Sequence, residues 1–283
     1  MCSSDLHRPV HYRLEASRDG TRWTVLSNAV GEGAVDWVAF PVTEARYWRL
    51  TPGAGEAGTL VAFAPQAADF ADNPTTRLNA IAHERPRGEY PRGMREQTAW
   101  TLVGGPSHGN ESGLLSEDGA YEWGVGAPSV EPFLVIDGRR QSWAEAVTEV
   151  SLKDGDLPLP MVTRRYGPLA LSVSAMAPFE SSLAPVWLGY TLRNNDAVAH
   201  RVVLDLALRP LQVNPPAQFL NVAGGFSAIT SLRFNGKTLD LDSPSGARGF
   251  RPTTAPTAVA LGELDGSPDV SRFYDPSIIT PEK

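Results

Sequence analysis

Five acidic side chains fall close together in the sequence and are the first candidates for chemistry: Glu111, Glu117, Asp118, Glu122 and Glu131. A pair of carboxyl groups is the usual machinery of glycoside hydrolysis, because one donates a proton while the other acts as base or nucleophile. Glu131 enters an apolar strand, and burial favours the protonated form that a general acid needs. We take Glu131 and Glu122 as candidate catalytic residues. The alternative for Glu131, which precedes a proline, is a salt bridge or a backbone cap.

A second group of polar side chains follows a strand that must end near Val213, because Pro215 and Pro216 cannot donate ladder hydrogen bonds. Amides on the resulting stiff loop can donate to and accept from sugar hydroxyls. The candidate ligand-binding residues are Gln212, Asn214, Gln218 and Asn221, together with His108 in the turn-rich stretch 104–112. The alternative is that the amides satisfy backbone groups freed by the prolines and that His108 is a surface turn residue.

The elements that must position these residues are strands. The 283 residues include 26 glycines and 24 prolines, which punctuate short runs rich in Val, Leu, Thr and aromatic residues. This pattern is typical of an all-β chain with many turns, and helix is a minor component. No apolar run has the ~20 residues needed to cross a bilayer, and no leader pattern precedes the first strand.

Charge and cysteine content narrow the possible partners. The net charge is −7, which gives no electrostatic reason to expect nucleic acid. Cys2 is the single cysteine, and the histidines lack metal-ligand spacing. We expect no cofactor and no metal. Residues 1–6, MCSSDL, match what the end of a common sequencing adapter would encode, so we expect them to be a non-native artefact.

Residues 11–52 contain four strand-like runs, and Asp19-Gly20 predicts a hairpin turn between the first two. The stretch YRLEASRDGTRWTVL, followed by VDWVAFPVTEARYWRL, resembles the C-terminal half of a coagulation factor 5/8 type C, or discoidin, domain. The resemblance implies a partial jelly-roll over residues 7–66 and a carbohydrate-binding ancestry. It also implies structural roles for five residues: a buried core aromatic at Trp23, the turn at Asp19 and Gly20, and strand positions at Arg46 and Arg49.

A connector is predicted next. Residues 67–97 are rich in small and polar residues, and AADFADNP within them suggests a helical turn that Pro74 prevents from extending. Four arginines lie there among glutamates, which favours a solvated segment: Arg85, Arg87, Arg92 and Arg95.

From residue 98 the strand pattern resumes in eleven runs joined by turns such as Asp137-Gly138 and Asn235-Gly236. They predict a large antiparallel, supersandwich-like β-sandwich over 98–283, truncated at its C-terminal end. Residues 90–261, above all RPLQVNPPAQFLNVAGGFSAI, resemble the β-sandwich of bacterial proteins in which a discoidin module precedes such a sandwich and an α/α-barrel of the glycoside hydrolase kind.

Two functions follow from these resemblances. In the first, the chain is a fragment of a bacterial carbohydrate-active protein that binds a glycan and supports a helical catalytic domain outside these residues. We expect such a fragment to be inactive alone and its parent to be secreted, periplasmic or at the cell surface. The alternative is a non-enzymatic glycan-binding or adhesion protein. Candidate sugar-stacking platforms, most of them expected in the core, are Trp37, Trp48, Trp100, Trp123, Trp143 and Trp187.

Overall fold

The computed structural model describes residues 10–31, 37–38, 40–56, 59–68, 70, 73–104, 112–177, 185–217 and 223–259. These residues belong to two compact units, one that ends before residue 73 and one that begins there. Both units are built from antiparallel sheets, so the predicted all-β class is confirmed.

The first unit contains a three-stranded sheet in the order β2-β1-β3, formed by β1 (Val10–Ser17), β2 (Thr24–Gly31) and β3 (Tyr47–Pro52). The predicted hairpin is confirmed, since β1 and β2 pair antiparallel with one register shift between Leu14 and Glu15. The predicted strand over 35–42 is wrong for the residues described there, 37–38 and 40–42, which are not in a strand. Pro41 offers no backbone N–H to a ladder.

Both faces of the central strand β1 are buried near its C-terminal end. Leu14 and Ala16 lie on one face, and Glu15 and Ser17 lie on the other. An aromatic side chain from outside the strands also packs on the Leu14–Ala16 face. The ring centroid of Phe40 lies 5.6 Å from that of Trp48, a β3 residue that pairs with Ala16. Aromatic pairs at this separation add to the stabilisation from area burial.

The second unit opens with a helix, α1 (Pro74–Glu84). The prediction that Pro74 prevents helix extension is wrong, because Pro74 occupies the first helical turn, where its missing N–H costs no hydrogen bond. Asn73 is the N-cap, and its side-chain oxygen accepts the backbone N–H of Thr76 at 2.9 Å. The helix buries Leu78 and Ile81.

The segment predicted as a linker packs into the second unit from residue 73 onward. The backbone carbonyl of Tyr90 accepts the indole N–H of Trp143 at 2.9 Å, and Tyr90 and Met94 are buried. The predicted solvated character of its arginines is wrong for Arg92, whose guanidinium pairs with Asp118 at 2.8 Å. The residues that contact this segment are distant in sequence, so its local composition could not predict these contacts.

Thirteen further strands are described in the second unit. One sheet has the order β13-β7-β6-β5-β4 with β8 beside β7, and a second has the order β12-β11-β10-β9. A third sheet, β14-β15-β16, completes the set. The strands are β4 (Trp100–Val103), β5 (Gly113–Ser116), β6 (Tyr121–Glu122), β7 (Ser129–Ile136), β8 (Arg139–Gln141), β9 (Val147–Lys153), β10 (Leu157–Tyr166), β11 (Leu169–Met176), β12 (Trp187–Asn194), β13 (Val202–Arg209), β14 (Ser231–Phe234), β15 (Leu239–Ser243) and β16 (Gly246–Phe250).

The core of this unit lies between the sheets. Leu134 from β7 and Leu171 from β11 are fully buried and belong to one cluster, which Leu241 of β15 joins from the third sheet. The ring of Trp123 meets that of Phe250 edge-on at 4.9 Å. Side chains from both larger sheets therefore pack face to face, as in a β-sandwich.

Candidate functional site

The candidate acid Glu131 forms a buried ion pair with Arg209. The Nε of Arg209 donates to Oε1 of Glu131 at 2.7 Å, and Nη2 donates to Oε2. The side chains are 4% and 0% exposed. Strand pairing explains the contact, since Ala207 of β13 lies opposite Glu131 of β7 and Arg209 lies two residues further along the same face. Glu131 thus has the salt-bridge role that the sequence left open as an alternative.

Arg209 also forms a hydrogen bond with the segment that precedes β4, at Glu89. Its Nη1 donates to the backbone carbonyl of Glu89 at 2.7 Å, and its guanidinium lies 5.3 Å from the ring of Phe133. Two carboxylate oxygens, a backbone carbonyl and an aromatic face therefore surround one buried cation. Such compensation is what burial of a charge requires.

The second candidate acid, Glu122, lies in the same cross-strand row. Glu122 of β6 is opposite Ser129 of β7, and Ser129 is opposite Arg209 of β13, so all three side chains share one face of the sheet. Glu131 is two residues from Ser129 on that face. The strand register therefore places Glu122 and Glu131 at neighbouring positions on one face of the sheet.

Glu122 is fully buried, and its carboxylate is held by backbone N–H groups. Oε2 accepts from Asn214 at 2.9 Å and Oε1 accepts from Gly126 at 3.2 Å. Burial raises the pKa of Glu122 to about 7, against the opposing effect of hydrogen bonds from Asn214, Gly126 and Val213. The carboxyl group thus links β6 to the segment that follows β13, residues 210–217, called the 210s loop.

The chemistry open to this pair is limited by access. Glu122 and Glu131 are both buried, and the oxygens of both accept hydrogen bonds within the unit. A general acid must come within hydrogen-bond reach of a substrate oxygen, directly or through one water. In this conformation both groups are buried and bonded to other parts of the unit.

The predicted amide loop is bonded mainly to itself. Gln212 is 7% exposed, and its Nε2 donates to the backbone carbonyl of Phe226 at 2.9 Å. The backbone carbonyl of Asn214 accepts the N–H of Gly225 at 2.9 Å, and the N–H of Asn214 donates to Glu122. The bond from Gln212 matches the alternative in which a turn amide satisfies a backbone group, whereas these two contacts of Asn214 are made by its backbone. The remaining candidates, Gln218, Asn221 and His108, lie outside the described residues.

Two glycines opposite this loop allow two backbone segments of the unit to approach each other closely. A Cβ at Gly224 would lie 2.0 Å from the carbonyl oxygen of Asn214, and one at Gly225 would lie 2.5 Å from Cγ2 of Thr75. Gly225 also has φ +105°, which favours glycine. The glycines are therefore required by packing within the unit.

A neighbouring cluster was not predicted. Arg92 pairs with Asp118, and the guanidinium groups of Arg87 and Arg92 each lie 4.4 Å from the ring centroid of Trp143. The hydrogen bonds that Arg92 donates to the carboxylate of Asp118 raise the pKa of Arg92 above its ordinary value. Trp143 thus forms cation–π contacts with two guanidinium groups. Such contacts stabilise a fold more strongly when the cation is shielded from water. The aromatic and basic residues were visible in the sequence, but no local pattern indicated that they meet.

A small cavity of about 10 Å³ adjoins this cluster and is lined by charged side chains from several strands, including Arg92, Asp118, Glu131 and Arg164. Arg164 is 2% exposed, and its Nη1 donates to the carbonyl of Pro132 at 2.8 Å. Its Nε has no hydrogen-bond partner in the described part of the chain. A polar cavity of this size holds about one water molecule.

The predicted structural residues of the first unit form two clusters. Asp19 closes the hairpin loop, where its Oδ1 accepts the N–H groups of Thr21 and Arg22, each at 2.8 Å. These hydrogen bonds, that from Arg22 first, hold the pKa of Asp19 well below its ordinary value. Gly20 has φ +77°, so the predicted glycine turn is found.

Arg49 lies in β3 and pairs with the buried Glu15 at 2.8 Å, while Arg46 precedes the strand. Trp23 is only partly buried, with the guanidinium of Arg49 4.2 Å from its ring centroid. The expectation of a buried core aromatic at Trp23 is therefore wrong in this structure. The residue forms a cation–π contact instead.

The tryptophan candidates differ in exposure. Trp123 and Trp143 are buried, Trp37, Trp48 and Trp100 are half-buried, and Trp187 at the start of β12 is 52% exposed. An exposed aromatic face is a prerequisite for stacking on a sugar ring, so Trp187 is the platform that this exposure favours.

No helix in the described part of the chain is long and apolar enough to cross a membrane. Among the same residues, no three His, Cys, Asp or Glu side chains come together in a group suited to a metal ion. No protein-family model, curated protein or solved structure matches the chain.

Proposed function

We propose that the chain is the non-catalytic β portion of a bacterial carbohydrate-active protein. The first unit contributes to carbohydrate binding, and the second is a β-sandwich that supports a helical catalytic domain outside these 283 residues. The carbohydrate component rests on the resemblance of YRLEASRDGTRWTVL and ARYWRL to discoidin domains.

The observation that carries the non-catalytic role is the engagement of the two candidate acids. Glu131 is neutralised by Arg209, and Glu122 accepts backbone N–H groups, with both side chains closed to solvent. A group that must exchange protons with a substrate needs access that neither has. Their shared face instead joins β6, β7 and β13 to the 210s loop.

Exposed apolar residues on several strands are consistent with the proposal that another domain packs against the sandwich. Val147 of β9 is 72%, Leu102 of β4 65% and Leu206 of β13 47% exposed. Each of these three strands lies at an edge of its sheet, so a domain that packs against one of these edges would bury the apolar side chain exposed there.

The test uses the intact chain, with Glu122→Gln and Glu131→Gln as variants. The wild-type chain should retain glycans on an array and should release no chromophore from aryl glycosides. If the wild-type chain turns over and this turnover falls ~10²-fold or more in a variant that urea unfolding shows to be still folded, the sandwich holds an acid and the proposal is overturned. Absence of any glycan retention would overturn its carbohydrate-binding part.

The alternative is a stand-alone adhesion protein, and the gene sequence that follows the codon for Lys283 distinguishes it from the proposed function. The proposal requires ~300 or more further residues with helical periodicity, since a domain of that size forms its own core. A complete gene that lacks such a region would favour the adhesion protein.

A further inference from the structure

The first unit carries an open groove of about 310 Å³ across its three-stranded sheet. Residues from all three strands line it, among them His11 and Arg13 of β1, Asn28 of β2 and Thr51 of β3. The volume is at the lower end of the range for small-molecule sites.

Strand register determines which side chains are neighbours in this groove. Arg13 of the central strand lies opposite Asn28 of β2 and opposite Thr51 of β3. Directly paired residues project to the same face of a sheet, so the three form one cross-strand row. His11 is two residues from Arg13 and shares that face.

The charged groups along this face differ in their pairing. Nδ1 of His11 lies 2.7 Å from Oε1 of Glu56, and Glu15 is held by Arg49 and by the hydroxyl of Thr51. Arg13 lies between these two pairs and is exposed. Among the described residues its guanidinium has no ion pair or hydrogen bond, and it acts on Glu15 only at longer range.

The amide of Asn28 is likewise exposed and without a hydrogen-bond partner in the part of the chain described. An unpaired guanidinium beside an unpaired amide presents a planar fork of donors next to a group that donates and accepts. A guanidinium fork matches the geometry of a carboxylate or sulfate, and an amide matches a vicinal hydroxyl pair.

We propose that this groove binds an acidic saccharide, one that carries a carboxylate or sulfate group. Arg13 holds the anionic group and Asn28 the adjacent hydroxyls, while the His11–Glu56 contact bounds the groove at one end. The proposal rests on the carbohydrate-binding function proposed above and specifies its ligand class.

The test measures binding of trigalacturonate, neutral galactotriose and sodium sulfate to the intact chain by calorimetry, with amide chemical shifts of Asn28 and Thr51 as a second readout. Trigalacturonate should bind at least about tenfold more tightly than galactotriose, as expected for one charge-assisted contact. Arg13→Gln should abolish this preference. The matched control is Arg18→Gln, an exposed arginine of the hairpin loop that pairs with Glu44, and it should change the affinity by less than about twofold.

Equal binding of the acidic and neutral saccharides would overturn this inference and leave the proposed function intact. Binding of sulfate alone would overturn the saccharide assignment and, with it, the carbohydrate function of this unit. Retention of the preference in Arg13→Gln would also overturn the inference. Because Arg13 is exposed, its replacement should not unfold the unit, and unchanged amide dispersion verifies this.

Discussion

Glu131 and Arg209 are 78 residues apart in sequence and meet on adjacent strands of one sheet as a buried bidentate pair. The pair joins β7 to β13, and Arg209 extends the link to the backbone at Glu89. A buried pair of this kind adds little net stability over an apolar replacement, but removal of one partner leaves a buried charge.

Glu131→Gln and Arg209→Met should each destabilise the second unit by about 3–5 kcal/mol, because each leaves the partner uncompensated. The double variant should lose less than the sum of the two. Urea unfolding of all three variants measures this coupling.

The matched control for this pair is the exposed pair Arg165–Glu149, whose side chains are 52% and 63% exposed. Its removal should cost less than about 1 kcal/mol. Additive losses at Glu131 and Arg209 would contradict the direct pairing seen here.

The sequence predicts those elements whose signals are local. The hairpin at Asp19-Gly20 follows from turn chemistry and alternation, and most strands of the second unit follow from apolar runs between turns. Strand β16, GARGF, was missed because it has one large apolar residue and two glycines. Its pairing with β15 holds it in the sheet.

The candidate site shows what local signals leave out. A charge in an apolar run must find a partner, so Glu131 indicated a buried contact. The identity of the partner depends on which strands are adjacent, and β7 and β13 are separated by five intervening strands in sequence. The stack of Arg87 and Arg92 on Trp143 depends on tertiary packing in the same way.

Glu122 should make stability depend on pH. Its folded-state pKa of about 7 lies above its ordinary value of 4.5, so the folded state keeps the proton longer than the unfolded state. The resulting stabilisation is complete below pH 4.5 and is lost as the pH rises to about 7, by about 3 kcal/mol. Urea unfolding at pH 4.5–8 should show this loss in the wild type and not in Glu122→Gln.

Groups other than Glu122 titrate in this range, so the difference between the two proteins is the quantity of interest. Glu149→Gln, at an exposed position, serves as control and should follow the wild-type curve. Parallel curves for the wild type and Glu122→Gln would show that Glu122 does not titrate as described.

The cavity beside Arg164 should contain one ordered water. It measures about 10 Å³ and is lined by Asp118, Glu131 and other polar groups, which supply the partners that a buried water needs. A high-resolution crystal structure should show this water within hydrogen-bond distance of Nε of Arg164. Arg164→Met should lose it, and Arg165→Met on the same strand should keep it. A dry cavity in the wild type would contradict the prediction.

Two buried tyrosines should respond in opposite ways to loss of the hydroxyl. The hydroxyl of Tyr121 has no hydrogen-bond partner among the described residues, and burial raises its pKa to about 12. The hydroxyl of Tyr166 donates to the carbonyl of Ser142 at 2.9 Å. Tyr121→Phe should therefore leave the free energy of unfolding unchanged or raise it by about 1 kcal/mol, whereas Tyr166→Phe should lower it by about 1–2 kcal/mol. Urea unfolding compares them, and an equal loss in both would mean that the Tyr121 hydroxyl has a partner in solution.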